Sequence, residues 1–362
     1  MTNPLVSIIV PVYNAQNSVA RCLESICSQT YPELQIILLN DGSTDDSLAI
    51  CEQFRARDAR IMVVDKENEG VSRTRNAGLA LAQGDYIQFA DSDDLLDPDY
   101  TQNLVQAALQ HSADLVIAPY WMVIPPNSTK TGYFLETLQT SLGIEPETPK
   151  TEVHKYSFLP EGVYSREDYA RSLMQQPASF YYGVLWNKLY RRDIIAENQL
   201  GFAPEIHWAE DLIFNMCYLE HAQVFVSIST AGYHYIQNPQ SLCHTQIGLL
   251  GIVENKTQIF QLFKEVYTRL GLYDEMAAKI YKYLFAFSES SSPSNSLQGA
   301  LLDVMAHLSD TADQSETSAQ NPQHETKKSQ RKDKKSQREP KKPKREPKKS
   351  QREPKKPKCE TE

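Results

Sequence analysis

Four short stretches of this chain carry residues whose types and spacing could do chemistry. Asp91-Ser92-Asp93 closes the apolar run that begins at Tyr86. Two carboxylates one residue apart at a tight turn can approach the same hard cation. Mg²⁺ and Mn²⁺ prefer such oxygen donors, and Mg²⁺ commonly takes one or two carboxylates together with substrate phosphates. A cation there would neutralise charge on a departing diphosphate, a Lewis-acid role. The plainer reading is a polar turn with helix capping, because Asp94 and Asp97 also precede a helix. A DxD pattern by itself is common; its place at the end of the fourth strand of a sheet is what favours the cation.

Asp41 stands in Leu38-Leu39-Asn40-Asp41-Gly42-Ser43. A carboxylate at a sheet edge can accept the imide N–H of a uracil base, or it can close an Asx turn on its own backbone. Arg75, in GVSRTRNAG (70–78), carries a guanidinium that forks well onto phosphate. Arg75 and its neighbour Arg73 could equally be surface charges. Glu210-Asp211 opens a largely apolar helical stretch through Leu219. Acids there are favoured by the helix dipole, yet a carboxylate so placed can also take a proton from a hydroxyl as general base. His207, His234 and His244 could assist or bind metal, but singly each reads as structural. No Ser–His or Cys–His constellation points to a protein nucleophile.

These residues need elements to hold them. Val6–Val10, Leu34–Leu39, Ile61–Val64, Tyr86–Phe89 and Leu115–Ile117 are short apolar runs of strand type. Between the first two, Val19, Cys22, Leu23, Ile26 and Cys27 follow helical spacing. Asn40-Asp41-Gly42-Ser43 is a turn, and Ser43 or Thr44 is placed to cap a helix running to about residue 57. A third helix is expected over about 72–82, and Pro98 is placed to open a fourth. The alternation predicts a parallel sheet wrapped by helices, with its ligand beyond the carboxyl ends of the strands. Tyr13-Asn14, Asp41-Gly42-Ser43 and Asp91-Ser92-Asp93 all fall at those ends. Residues 120–160 read as a loop or a small β-insertion over the site. From about 163 to 300 the chain reads as mostly helical, with short strands near 224–227 and 233–237 and two helices over 252–287. The aromatic run 281–287 reads first as core and second as an interfacial membrane face.

Composition sets the outer bounds. The 362 residues allow about two domains. At 41% hydrophobic and 23% charged the chain is not disordered throughout. No apolar run approaches the ~18–20 residues that a membrane-spanning helix needs. The first basic residue is Arg21, and Pro4 and Pro11 interrupt the N-terminal apolar run. That start reads as a buried strand and not as a secretory signal. Six cysteines without CxxC spacing indicate a reducing, cytoplasmic setting and no structural zinc.

The net charge of −9 conceals a split. Residues 327–362 hold 17 Lys/Arg against 6 Asp/Glu, a net of +11, while the other 326 hold 20 against 40, a net of −20. The segment KKSQREPKKPK occurs at 334–344 and again at 348–358. Having almost nothing apolar to bury, this tail is expected to be disordered, with 309–326 as the linker into it. An anionic membrane surface is the partner it fits, at about 1 kcal/mol per basic residue. A solvated tail of no further role is the alternative. Nucleic acid fits it less well, since no aromatic residues are interleaved to stack bases.

In combination and order, these segments resemble the inverting, GT-A-type family 2 glycosyltransferases. The matching stretches are VSIIVPVYNA (6–15), NDGSTDDS (40–47), ENEGVSRTRNAGL (67–79), FADSDDLLDPDY (89–100), WNKLYRRDII (186–195) and AEDLIFN (209–215). The resemblance covers roughly 5–240 and is nearest to bacterial members that build surface polysaccharides or protein-linked glycans. It implies a Rossmann-like, mostly parallel α/β sheet with helices on both faces. Residues 1–240 would be the catalytic domain, with 1–119 binding nucleotide and 120–240 binding acceptor. A helical extension over 241–308 and the linker and tail over 309–362 would follow. It implies a UDP-sugar donor, a lipid-linked or protein-linked glycan acceptor, and Mn²⁺ or Mg²⁺. Pro11 and Tyr13 would line the nucleotide pocket, Asp41 would hold the base, and Arg75 would lie near the diphosphate or base edge. Asp91, Ser92 and Asp93 would form the DxD element, with Asp93 and Asp91 on the metal. Asp211 would be the catalytic base, Glu210 would shape the acceptor side, and Trp186 and Lys188 would form the floor.

The resemblance has one local departure. The family's aromatic-Tyr-Arg pattern is replaced by HYIQNPQS (234–241), which offers Ile236 and Gln237 where an Arg is expected. A location at the inner face of the cell membrane fits the acceptor and the tail together. The rival classes are a non-catalytic binding module on the same fold, a nucleotidyltransferase, and a tail-driven membrane adaptor. The intact DxD and Glu-Asp pair count against the first. The absence of glycine from PVYNAQNS (11–18) counts against the second.

Overall fold

Four parallel strands form the heart of the molecule, seen in a computed structural model that describes residues 3–126, 150–175, 179–205, 209–237 and 249–285. They are β1 (Val6–Val12), β2 (Leu34–Asp41), β3 (Ile61–Lys66) and β4 (Tyr86–Phe89). β1 pairs in parallel with both β2 and β4, and β2 with β3. The near-continuous apolar sequence of β1 and β2 is what a parallel strand covered on both faces requires. The crossovers run through α1 (Val19–Cys27), α2 (Ser47–Arg55) and α3 (Val71–Leu81). Each of these strands therefore points its carboxyl end to the same edge.

α3 lies close on the sheet because residue 78 is glycine. A Cβ there would fall 2.5 Å from Ile9 Cγ2 and 3.2 Å from Leu39 Cδ1. Arg75, three residues earlier, shares that inward face. It is buried, whereas Arg73 is exposed and pairs with Glu69.

The sheet continues beyond β4 in a way that the alternation of strand and helix does not announce. After β5 (Leu95–Leu96), α4 (Tyr100–His111) leads to β6 (Leu115–Ile117). Pro98 lies in the turn before α4 and not in its first position. β6 is separated from β4 by β10 (Lys188–Arg191), which is antiparallel to both. β11 (Val224–Ser227) then pairs in parallel with β6, and β9 (Gly162–Ser165) closes the far edge in antiparallel fashion. The full order is β3-β2-β1-β4-β10-β6-β11-β9. The sheet is thus mostly parallel, as expected, with β10 and β9 as its antiparallel members. The two inserted strands are only four residues long, too short to show a period of their own.

A smaller sheet has the order β5-β12-β7-β8, where β7 is Tyr120–Ile124, β8 is Glu152–Tyr156 and β12 is Tyr233–Ile236. The β-insertion expected over 120–160 therefore exists, and residues 127–149 lie outside the described residues. β5 directly follows Asp91-Ser92-Asp93-Asp94, so its antiparallel pairing with β12 ties that turn to a distant part of the chain.

Around this frame lie α5 (Arg166–Leu173), α6 (Phe180–Gly183), α7 (Arg192–Glu197) and α8 (Glu210–His221). The two expected C-terminal helices are α9 (Leu249–Arg269) and α10 (Tyr273–Phe285). They dock on α5 and α8: Tyr267 donates to Ala170 O at 2.6 Å, Arg269 pairs with Glu220, and Arg171 with Glu275. By its contacts the chain divides at Ala286, and the basic tail lies outside the described residues. No described helix is long and apolar enough to cross a membrane.

Candidate active site

The loops at the carboxyl ends of β1 and β2 are fastened to each other. Asn14 takes a left-handed conformation, φ 47°, which Asn tolerates better than most residues. Its Oδ1 accepts from Thr44 N at 2.8 Å, and its own N–H donates to Ser43 Oγ at 3.0 Å. Ala15 N donates to Ser47 Oγ and Gln16 N to Asp45. Ser43 and Thr44 are therefore latches between two loops. The capping expected of them does not occur: α2 starts after Asp46, and no side chain caps it. Pro11 is half-buried at the end of β1, and Tyr13, just beyond it, is exposed at this edge.

Asp41 ends β2 almost fully buried. Its Oδ1 accepts from Lys66 Nζ and from Glu69 N at 3.0 Å, and its Oδ2 from Gly70 N at 3.0 Å. Burial pushes its carboxyl up, but the hydrogen bonds from Lys66 and Glu69 outweigh this and hold it below the usual range. Asp41 thus shapes the 67–70 loop that leads into α3. Gly70 there has φ 87°, a conformation that disfavours a side chain.

Arg75 collects three carboxylates from two distant segments. Its Nη1 donates to Asp211 Oδ1 at 2.6 Å and lies 3.5 Å from Glu210 Oε1. Its Nη2 lies 3.5 Å from Asp91 Oδ1. The guanidinium carbon sits 5.5 Å from the Phe202 ring centroid, a cation–π distance. Phe202 is held in turn by Asn76, which both donates to and accepts from its backbone. The surface-charge reading of Arg75 is excluded by this burial. The structure places it against the Glu-Asp pair and the first DxD carboxylate.

Asp211 opens α8 behind Ala209, whose φ of 64° is a strained value for a non-glycine residue. Burial pushes the Asp211 carboxyl up to about 7; Arg75 opposes this, and the charges of Glu210 and Asp91 add to it. The helix is anchored by Asn215, whose Nδ2 donates to Gly183 O at 2.7 Å and to Asp211 O at 2.9 Å, while its Oδ1 accepts from Tyr190 at 2.8 Å. Below it Lys188 is fully buried, donating to Tyr181 O, Val184 O and Asn187 Oδ1. Burial pushes its ammonium well below the usual lysine range, with Asp211 pulling the other way. Trp186 stacks on Tyr233 at 4.4 Å and meets Tyr120 edge-on at 4.7 Å. Trp186 and Lys188 are thus both buried packing residues.

Asp91, Ser92 and Asp93 are half-buried in the turn after β4. Arg21 Nη2 donates to Asp93 O at 3.0 Å, and Cys22 Sγ approaches Asp91 O at 3.4 Å. No group of three or more His, Cys, Asp or Glu side chains poised for a metal occurs among the described residues. The turn offers two hard carboxylates, the protein share typical of a site that a diphosphate completes.

Helix capping is the plainer alternative for Asp94, and Tyr233, Lys66 and Asn215 carry no signal in the sequence. Asp94 caps nothing: it is fully buried and bonded to Tyr233 and to the backbone of Ile236. Asp97 pairs with His234, Nε2 to Oδ1, at 2.8 Å, and Asp99 precedes α4 without a capping bond. His207 and His244 lie outside the described residues. The signal that could have exposed Asp94 was the apolar Leu95-Leu96 behind it, which makes the turn a strand entry and not a helix start.

A family model described as Glycosyl transferase family 2 matches residues 7–160. The chain is similar to an uncharacterized glycosyltransferase of Bacillus subtilis, EpsJ, at 31% identity over 239 residues, which covers 66% of this chain and 63% of EpsJ. It is similar to a putative glycosyltransferase of the same organism, EpsH, at 33% identity over 237 residues, 65% of this chain and 61% of EpsH. The matches thus span a little over three fifths of those relatives. Among solved structures, TarS 1–349 of S. aureus in complex with UDP-GlcNAc superposes with a TM-score of 0.58 at 19% identity, covering 79% of this chain and 74% of that one. At that identity the likeness speaks to the fold.

Proposed function

We propose that this chain, which carries a glycosyltransferase family 2 domain over residues 7–160, moves a sugar from a UDP-sugar to a hydroxyl of a growing glycan, with inversion at the anomeric carbon. The observation that carries the reading is the convergence of Asp91, Glu210 and Asp211 on the buried Arg75 at the carboxyl edge of the sheet. A decayed binding module has no need to keep an acid pair and a DxD turn on one cation.

Asp41 accepts the imide N–H of the uracil, with Pro11 and Tyr13 lining the nucleotide pocket. Asp91 and Asp93, with Ser92 between them, are the residues that would hold Mn²⁺ or Mg²⁺, and their hard oxygen donors fit either ion. When bound, such an ion supplies Lewis-acid stabilisation of the departing diphosphate. Asp211 takes the proton of the acceptor hydroxyl. The acceptor oxygen attacks the anomeric carbon from the face opposite the diphosphate. The bond to the diphosphate breaks, and its electron pair leaves with the UDP. Arg75 keeps the Asp211 carboxylate in register, and Glu210 borders the acceptor side. The acceptor is a lipid-linked or protein-linked glycan, and the tail over 327–358 contacts an anionic membrane at the cytoplasmic face.

Calorimetric titration with UDP and with GDP tests the donor assignment. Wild type is expected to bind UDP in preference to GDP. Asp41→Asn presents an amide where the imide N–H needs an acceptor. It is expected to weaken UDP binding about tenfold or more, the scale of a lost hydrogen bond to a charged group. Equal affinities for UDP in wild type and variant would sink the base assignment.

A further inference from the structure

The residue after the DxD pair is an acid that the proposed chemistry does not use, and it is fully buried. Asp94 Oδ2 accepts from the Tyr233 hydroxyl at 2.8 Å, and Asp94 Oδ1 accepts from Ile236 N at 2.8 Å. The same Tyr233 hydroxyl accepts the backbone N–H of Asp91 at 3.1 Å. One phenol oxygen therefore takes a bond from the first DxD residue and gives one to the acid behind the second. Within the turn itself, Asp94 N donates back to Asp91 O at 3.2 Å.

The phenol is itself held between two aromatic neighbours. Its ring stacks on Trp186 with 4.4 Å between centroids and 10° between planes. Tyr100 packs against it at 6.2 Å. The preceding Gly232 lets Tyr100 come close, since a Cβ there would lie 2.6 Å from Tyr100 Cδ2. Tyr233 also pairs in register with Leu96 of β5, two residues beyond Asp94. The turn is thus held by its own continuation and by a strand from the far end of the domain.

We infer that Tyr233 and Asp94 are positioning residues that fix the backbone of the Asp91-Ser92-Asp93 turn, so that its two carboxylates are preset for a divalent cation. The inference rests on the proposed reading of that turn. A carboxylate pair on a turn with free φ/ψ would lose entropy on each binding event; a turn locked by a buried phenol does not. Groups that orient metal-binding residues in this way typically contribute 10–100-fold to metal affinity.

The test is Mn²⁺ binding to the full chain at saturating UDP, read from the electron paramagnetic resonance of free Mn²⁺. UDP affinity in EDTA is measured beside it by calorimetry. Tyr233→Phe keeps the ring stacked on Trp186 and removes only the hydroxyl. It is expected to lose about tenfold or more in Mn²⁺ affinity, with UDP affinity in EDTA unchanged. Tyr100→Phe removes another buried hydroxyl from the same cluster, one that donates to Trp186 O. It is expected to bind Mn²⁺ as wild type does. Asp94→Asn places an amide N–H₂ against a phenol that already accepts from Asp91. It supplies the same loss if Tyr233→Phe fails to fold.

Mn²⁺ binding unchanged in Tyr233→Phe, or in Asp94→Asn, overturns the inference. So does an equal loss in Tyr100→Phe, which would trace the effect to packing in general. Wild type that binds UDP but no Mn²⁺ overturns the metal reading of the turn and this inference with it. That result is distinguished by appearing before any substitution is made.

Discussion

Asp211→Asn is expected to lower kcat for sugar transfer by about 10²–10⁴-fold, the range that general-base catalysis supplies, while UDP binds as it does to wild type. The substitution is nearly isosteric. The Asn carbonyl oxygen still accepts from Arg75 Nη1, which reaches Asp211 at 2.6 Å. The anchors of α8 are untouched, because Asn215 holds the backbone oxygen of residue 211 and not its side chain. What disappears is the negative charge and with it the basicity, while Asp91 and Glu210 remain as counter-charges to Arg75. A group pushed up to about 7 by burial is well matched to taking a proton near neutral pH. Rates are read as UDP release with acceptor present and binding by calorimetry. A variant that transfers within a few-fold of wild type would remove Asp211 from the role of base.

The second large effect belongs to Arg75. Asp211 works as its carboxylate, so wild-type kcat/KM is expected to fall as pH drops through about 7, approaching tenfold per pH unit below it. Arg75 is the charge that opposes a still higher value. Arg75→Met leaves Asp91, Glu210 and Asp211 facing one another without that cation, so the Asp211 carboxyl moves further up. The acid limb of the pH–rate profile then shifts to higher pH. Activity at pH 7 falls more than tenfold and recovers in part at pH 9. Losing one partner of a buried pair costs about 3–5 kcal/mol when the other stays charged; protonation of Asp211 softens that cost here. Arg75→Lys is expected to restore little, since an ammonium cannot fork between two carboxylates. A profile with its acid limb unmoved would show that Arg75 does not act through Asp211.

These effects depend on contacts that the sequence discloses unevenly. β1 to β4 are legible because VSIIV, LQIILL, IMVV and YIQF are mostly apolar runs set between stretches of helical spacing. β10 is not, because Lys188-Leu189-Tyr190-Arg191 has no period of its own and becomes a strand only by lying between β4 and β6. Arg73 and Arg75 look alike in Ser72-Arg73-Thr74-Arg75. The helix face shared with Gly78 separates them, and that becomes visible only once α3 is seated on the sheet. Asp94 sits in a run of acids that reads as a solvated turn, and its burial is set by Tyr233 from far along the chain. The candidate carboxylates could be named from the sequence. Their meeting on Arg75 could not, since it joins the turn after β4 to the start of α8, two segments with no local signal for each other.

The most direct test of the whole account is release of UDP from a panel of UDP-sugars by the full chain, in Mn²⁺ and in EDTA. The account predicts slow UDP release from one sugar nucleotide in Mn²⁺ without acceptor, loss of that release in EDTA, and acceleration when the right glycan is added. Absence of UDP release from every donor in Mn²⁺, together with absence of UDP binding, would contradict it.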